Sequence, residues 1–268
     1  MEGVQTGRTL LASLTVDVER RKGAAGFEGL DSDVARILDF LRPVCRATFF
    51  VSGEIADRKP EIVQAIADEG HEVGCHGLHH EQLDMLPFGE QLRRIALATS
   101  YLEKVTGKRA WGFRAPELRV NTATLLALER LRFVYDSSVL PGTIFLRPKP
   151  HKKWRFIFAP REPYHPSRAQ LTRRGDCRIV ELPYSSFILP FVSKLSMRST
   201  LASDIVATIL VRLGRAKGIP IVYGLHSYDE LPCGKSSWLA RVVESLRSKV
   251  NFTTMDQVAL AYGGQEPQ

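Results

Sequence analysis

Along the first two-thirds of the chain, short runs of β-branched and aromatic residues alternate with stretches whose apolar residues recur at helical spacing. A period of two followed by a period near 3.6, repeated, is the pattern of βα units that build a parallel sheet. Leu10 to Val18 reads as the first strand. Ser32 to Leu41 follows as a helix, with Val34, Ile37, Leu38 and Leu41 on one face and Pro43 just beyond its end. Ala47 to Val51 is the second strand. Pro60 suits the first turn of the next helix, whose buried face is Ile62, Val63 and Ile66 and which Gly70 is placed to stop. The alternation continues with a strand Glu72 to Cys75, a helix Pro87 to Val105 ended by Gly107, and a short strand Trp111 to Phe113. Asn121 then caps a helix over Thr122 to Leu131 that leads into the strand Phe133 to Tyr135.

Periodicity is lost from Pro141 to Tyr184, where prolines stand at 141, 148, 150, 160, 163, 166 and 183. A connection of this length is usually functional or disordered, and Ile179 to Leu182 marks where the chain rejoins the sheet. The pattern resumes with a helix Ser203 to Arg215, a strand Pro220 to Leu225, a helix Ser237 to Arg247 and a strand Val250 to Phe252. Thr253 to Asp256 has the form of a capping box for a last short helix. The expectation is an α/β chain of about seven strands forming a distorted, incomplete (β/α) barrel. It is read as a single domain over residues 1–268 with a basic, Pro-rich insertion at about 141–184.

Composition narrows the class only a little. A hydrophobic share of 44% with 25% charged residues excludes wholesale disorder. Cys45, Cys75, Cys177 and Cys233 are far apart and form no C-x-x-C pair, which speaks against a zinc knuckle or a disulfide scaffold and for thiols of a reducing compartment. Met1 to Arg8 is polar, without the apolar core of a secretory signal, and no run of about 18 apolar residues occurs. The expected location is therefore the cytoplasm.

Charge adds one feature. The net charge is +8, and between Arg147 and Arg174 nine Lys or Arg residues face a single acid, Glu162, so the rest of the chain is close to neutral. The plainer reading is a solvated loop. The sharper one is contact with an anionic membrane surface through residues 147–174, at the inner face, with the apolar run Phe187 to Val192 as a further contact. Trp154 and Phe156 are interleaved with this charge, but a nucleic-acid partner is not expected.

The candidate chemistry sits after predicted strands. In Thr15-Val16-Asp17-Val18-Glu19, side-chain alternation puts Asp17 and Glu19 on one face at a strand's C-terminal edge, where α/β folds place their sites. After the third strand comes Gly74-Cys75-His76-Gly77-Leu78-His79-His80. His76 and His80 are four apart, and a turning chain can bring two such imidazoles to one metal ion. His79 competes as the second ligand, and spacing does not decide between them. Arg114, in Phe113-Arg114-Ala115-Pro116, is a cation able to hold a carboxylate bidentately. His226 directly follows the strand Pro220 to Leu225. Alone, the two acids read as a solvated rim, Arg114 as a structural ion pair and His226 as a satisfied histidine.

The ordered set D-x-E, H-x-x-x-H, R-x-P, Y-D-S-S (Tyr135 to Ser138) and L-H resembles the five motifs of the polysaccharide deacetylase family, carbohydrate esterase family 4, over about Leu10 to His226. The family pattern places two aspartates next to each other in its first motif, whereas Val18 follows Asp17 here. The resemblance then implies Asp17 as catalytic base and Glu19, at the third position of the variant D-x-[DE], as metal ligand. It implies His76 and His80 as the other ligands, Arg114 as the residue that holds the base, and His226 as general acid. Asp136, in the fourth motif, would support that acid. The implied cofactor is one divalent ion, zinc first, with cobalt, nickel, manganese or iron as alternatives. The implied reaction is removal of an N-acetyl group from an amino sugar, nucleotide- or polyprenyl-phosphate-linked if the enzyme is cytoplasmic. A deformylase with the same site, and a non-catalytic carbohydrate-binding protein, are the alternatives.

Overall fold

In the computed structural model, the described residues are 10–21, 23, 24, 26–142, 156, 158–185, 200–229 and 238–265. Among them one sheet follows the order β6 (Val180–Glu181), β5 (Tyr135–Asp136), β4 (Gly112–Phe113), β3 (Glu72–Cys75), β2 (Thr48–Val51), β1 (Leu11–Val18), β7 (Ile221–His226). An eighth strand, β8 (Asn251–Phe252), pairs with the start of β1. Every pairing is parallel, so all C-terminal strand ends lie at one end of the sheet.

Alternation along β1 divides the core. Ala12, Leu14, Val16 and Val18 belong to the cluster that includes Val34, Ile37 and Leu41 of α1 (Leu30–Leu41) and Ile62, Val63 and Ile66 of α3 (Pro60–Asp68). Each Val, Leu or Ile side chain among them, removed from water, contributes roughly 1.5–3 kcal/mol. The opposite face joins a second cluster, in which Phe50, Val180, Leu182 and Val222 meet Met255, Val258 and Ala259 of α8 (Met255–Ala261). Two backbone bonds dock α8 at the starts of β2 and β3: Met255 N to Thr48 Oγ1 at 2.8 Å and Asp256 N to Glu72 Oε2 at 3.0 Å. The helix thus closes the N-terminal end of the barrel and leaves the C-terminal end open.

The barrel is incomplete, as expected. Beyond β6, Ser185 donates its N–H to Val222 O of β7 at 3.1 Å, and its Oγ accepts from Val222 N at 2.9 Å. Among the described residues, one residue with its side chain bridges the seam where a closed barrel would have a ladder.

The helices follow the sequence signals closely. In α4 (Phe88–Thr106) Gly107 supplies the left-handed C-cap, with φ 66°. In α5 (Thr122–Arg130) Asn121 and Thr124 cap reciprocally. Thr200–Lys217 forms α6 and Trp238–Arg247 forms α7. Two features differ from expectation. A six-residue helix, α2 (Gly53–Arg58), precedes Pro60, too short to show a period. The box over Thr253 to Asp256 does not form: Thr254 is the cap residue and its hydroxyl donates to Asp256 Oδ1, while Thr48 and Glu72 accept the first helical N–H groups. Tertiary acceptors have replaced the local ones.

In the insertion, Tyr164 bridges Glu181 and Pro166 bridges Arg174, both antiparallel. Arg168 pairs with Glu129 and Asp176, and Arg174 with Glu162, so two arginines of the basic stretch are held in ion pairs. Arg147, Lys149, Lys152, Lys153, Trp154, Arg155 and the run 187–192 lie outside the described residues. No helix among the described residues is long and apolar enough to cross a membrane. Cys45, Cys75 and Cys177 are free thiols, and Cys233 lies outside the described residues.

Candidate active site

A cavity of about 560 Å³ opens at the C-terminal strand ends, lined by Asp17, Glu19, His76, His80 and His226 among others. The parallel register makes Asp17 and His226 direct partners across β1 and β7, so both side chains project from the same face. Glu19 follows two residues after Asp17 and shares its side. His76 leaves β3 with its N–H still bonded to Val51 O at 2.9 Å.

The loop after His76 turns through two left-handed residues, Gly77 (φ 73°) and His80 (φ 57°). A histidine held there is strained by about 1–3 kcal/mol, and the strain aims its ring at Glu19, which His80 Nε2 contacts through Oε2. His76 Nε2 is 3.2 Å from the same oxygen. The nearest ligating atoms of Glu19, His76 and His80 all lie within 4.8 Å of one another. His76 Nδ1 lies 2.8 Å from the Arg114 carbonyl, which can only accept, so Nδ1 carries the hydrogen and Nε2 of the neutral ring keeps a lone pair. His79 points elsewhere: its ring is half-exposed and its Nδ1 lies 3.4 Å from Glu54 Oε2. Among the three histidines, geometry therefore groups His76 and His80 with Glu19. Burial works against the Glu19 charge, yet the His76 and His80 rings, which donate to it when protonated and no cation is bound, outweigh burial and hold the carboxyl well below the usual range. One anionic oxygen donor and two imidazoles, with cavity space beside them, fit a divalent ion.

Arg114 is wholly buried. Its Nη1 donates to Asp17 Oδ1 and Thr15 Oγ1, both at 2.8 Å, Nε donates to Ser137 O at 3.1 Å and Nη2 to Ser137 Oγ at 3.0 Å. The Asp17 contact is thus single rather than bidentate, and Thr15 and Ser137 take three of the other four hydrogens. Phe50 and Tyr184 sandwich the guanidinium at 4.1 and 4.2 Å. Tyr184 also reaches Asp17 Oδ2 at 3.4 Å. Gly224 is what admits it, since a Cβ there would lie 2.2 Å from the Tyr184 ring.

His226 is oriented by Asp229, whose Oδ2 accepts from His226 N at 2.8 Å and lies 3.4 Å from Nδ1. Burial lowers the imidazole pKa, but the Asp229 hydrogen bond and the Asp17 charge raise it further, to about 9. Asp136 does not take this part. It is fully buried, hydrogen-bonded by Ser138 and registered opposite Glu181 on β6, away from the cavity lining. Burial pushes both carboxyls up, and Asp136 Oδ2 and Glu181 Oε2 are buried without a hydrogen-bond partner. The residue supporting His226 is Asp229, which sequence reasoning passed over together with Tyr184 and Tyr228. The only signal was proximity, His226-Ser227-Tyr228-Asp229 being one turn.

Residues 13–135 match the polysaccharide deacetylase family model. A peptidoglycan deacetylase-like protein of Gibberella zeae is 36% identical over 39% of this chain and 31% of its own length. The peptidoglycan-N-acetylglucosamine deacetylase of Bacillus cereus is 35% identical over 30% of each chain. The matched stretch thus spans about a third of these relatives' length. Among solved structures, a Mycobacterium smegmatis protein assigned to the polysaccharide deacetylases superposes with a TM-score of 0.70 at 23% identity, covering 98% of this chain and 94% of that one. A family 4 carbohydrate esterase pseudoenzyme from Bacillus anthracis superposes at 0.54 with 14% identity, covering 94% of this chain and 66% of that one. Such likenesses speak for the fold, which active and inactive members share. With the motifs standing in order at the strand ends, residues 13–135 are similar to the polysaccharide deacetylase family, and the fold is shared with solved structures of that description.

Proposed function

We propose that this cavity hydrolyses the amide of an N-acetylated amino sugar, with a divalent ion held by Glu19, His76 and His80. The observation that carries the reading is the pairing of Asp17 with His226 across neighbouring strands, beside a three-ligand cluster in one cavity. The relatives named for peptidoglycan sugars support the acyl and sugar class.

When bound, a divalent ion supplies Lewis acidity, polarising an amide carbonyl and acidifying water. Asp17 is fixed by Arg114 at Oδ1, which leaves Oδ2, beside the Tyr184 hydroxyl, to take the proton of the attacking water. His226 enters protonated, with Asp229 at Nδ1, so Nε2 is free to donate to the departing nitrogen. The carbonyl carbon gains the hydroxyl of water, the C–N bond breaks, and the amine leaves with the proton from His226. Asp17 and His226 thus face the reacting amide from adjacent strands, one set to accept and one to donate.

The test is acetate release from N-acetylglucosamine oligomers and N-acetylated peptidoglycan fragments, with a divalent ion added. Acetate formation, lost on chelation and lowered about 10²–10⁴-fold in Asp17→Asn, is expected. Formate release from N-formyl sugars instead assigns the acyl group differently. Absence of any acyl release from the metal-loaded protein contradicts the reading.

A further inference from the structure

Glu19 uses its two oxygens differently. Oε2 faces the nitrogens of His76 and His80, while Oε1 accepts a hydrogen bond from the Tyr228 hydroxyl at 2.8 Å. We infer that Tyr228 is a positioning residue that locks the Glu19 carboxylate with Oε2 toward the two histidines and thereby sets the affinity of the cluster for a divalent cation. This rests on the proposed reading of Glu19, His76 and His80 as metal ligands.

The chain is built to deliver the phenol there. After β7 the segment turns back with Asp229 N bonded to His226 O at 3.1 Å, and Ser227 N ties the turn to Asp17 O at 2.9 Å, two residues before Glu19. The Tyr228 ring stacks on the His226 ring, centroids 5.1 Å apart and planes 17° from parallel. A side chain held by its ring on one side and its hydroxyl on the other has little rotational freedom left. An unheld Glu19 would sample rotamers in which neither oxygen meets both imidazoles, and a donor fixed on Oε1 removes those. A single turn thus supplies the imidazole expected to protonate the leaving group, the carboxylate behind it and the phenol that orients a ligand.

The experiment is zinc binding to metal-free protein by competition with a chelating dye, on wild type and Tyr228→Phe, with thermal midpoints of both metal-free proteins measured alongside. The phenylalanine keeps the ring against His226 and removes only the hydroxyl. The expected result is zinc affinity weakened about ten-fold or more, the usual effect of losing a residue that holds a ligand, with the metal-free midpoint unchanged. Unchanged affinity in Tyr228→Phe overturns the inference and leaves the metal reading standing. Weaker affinity with an equally lowered metal-free midpoint makes Tyr228 structural and overturns it too. A wild type that binds no zinc or other divalent ion overturns both together, so the two failures are distinguishable.

Discussion

Arg114 is the centre of the site's polar order at the scale of single residues. A guanidinium with no exposed surface is costly unless its donors are met, and Asp17, Thr15 and Ser137 meet four of the five. His226 lies at the other extreme, partly open and governed first by the Asp229 carboxylate. Its pKa is raised to about 9, so the protonated imidazole is present below that pH and lost as pH rises through it. Asp229→Asn removes the main raising influence and should move the alkaline limb of kcat/KM toward acid by about one unit or more. The direction survives cation binding at Glu19, because Asp229 is outside the ligand cluster. A limb that stays in place would mean that His226 is not the acid. Alternation along β1 made the shared side of Asp17 and Glu19 legible in the sequence, but the choice between His79 and His80 was not, because it depends on a left-handed φ at His80.

Among the elements, α2 shows how the loop that carries His76 and His80 is held. Gly53 N and Glu54 N, at its first turn, donate to Gly77 O and Leu78 O, each at 2.9 Å, within the segment that joins His76 to His80. The helix sits close against α4, and a Cβ on Gly53 would fall 2.6 Å from Ala98 Cα, a backbone atom that cannot swing away. Gly53→Ala should therefore cost about 1–3 kcal/mol, as overpacking does, and weaken metal binding as the loop loses its anchor. Denaturant unfolding and the dye competition check the two effects, and a variant of wild-type stability and affinity contradicts the argument. The longer helices were readable because a buried stripe recurs over several turns. A six-residue helix carries too few positions, and the missing box at α8 was invisible because its replacement acceptors, Thr48 and Glu72, are some two hundred residues away in sequence.

Across the whole molecule, Glu72 joins parts that the sequence separates. It accepts from Thr48 on β2, Tyr135 on β5 and Asp256 on α8 at the closed end of the barrel. Burial first, and the Asp256 charge second, raise its pKa from 4.5 to about 7. A carboxyl raised in the folded state stabilises below 4.5, and that contribution is lost as pH rises toward 7. Glu72→Gln keeps an acceptor for Thr48 and Asp256 and a donor for Tyr135 without titrating. Its thermal midpoint should gain on wild type as pH rises from about 4.5 to 7 and level off above, whereas a difference constant with pH contradicts this. At this scale the βα alternation announced the strand number and the open barrel. The seam at Ser185 and Val222, and the Asp17–His226 pairing that brings the far end of the chain beside β1, required the fold itself.

Glu19, just beyond β1, is proposed to join His76 and His80, from the loop after β3, in one metal site. Elemental analysis of purified, metal-reconstituted protein tests it most directly, on wild type beside Glu19→Ala, His76→Ala, His80→Ala and His79→Ala. About one tightly held divalent ion per chain is expected in wild type and His79→Ala, lost in the other three. No ion in wild type, or an ion that survives loss of Glu19, His76 or His80, would contradict the account.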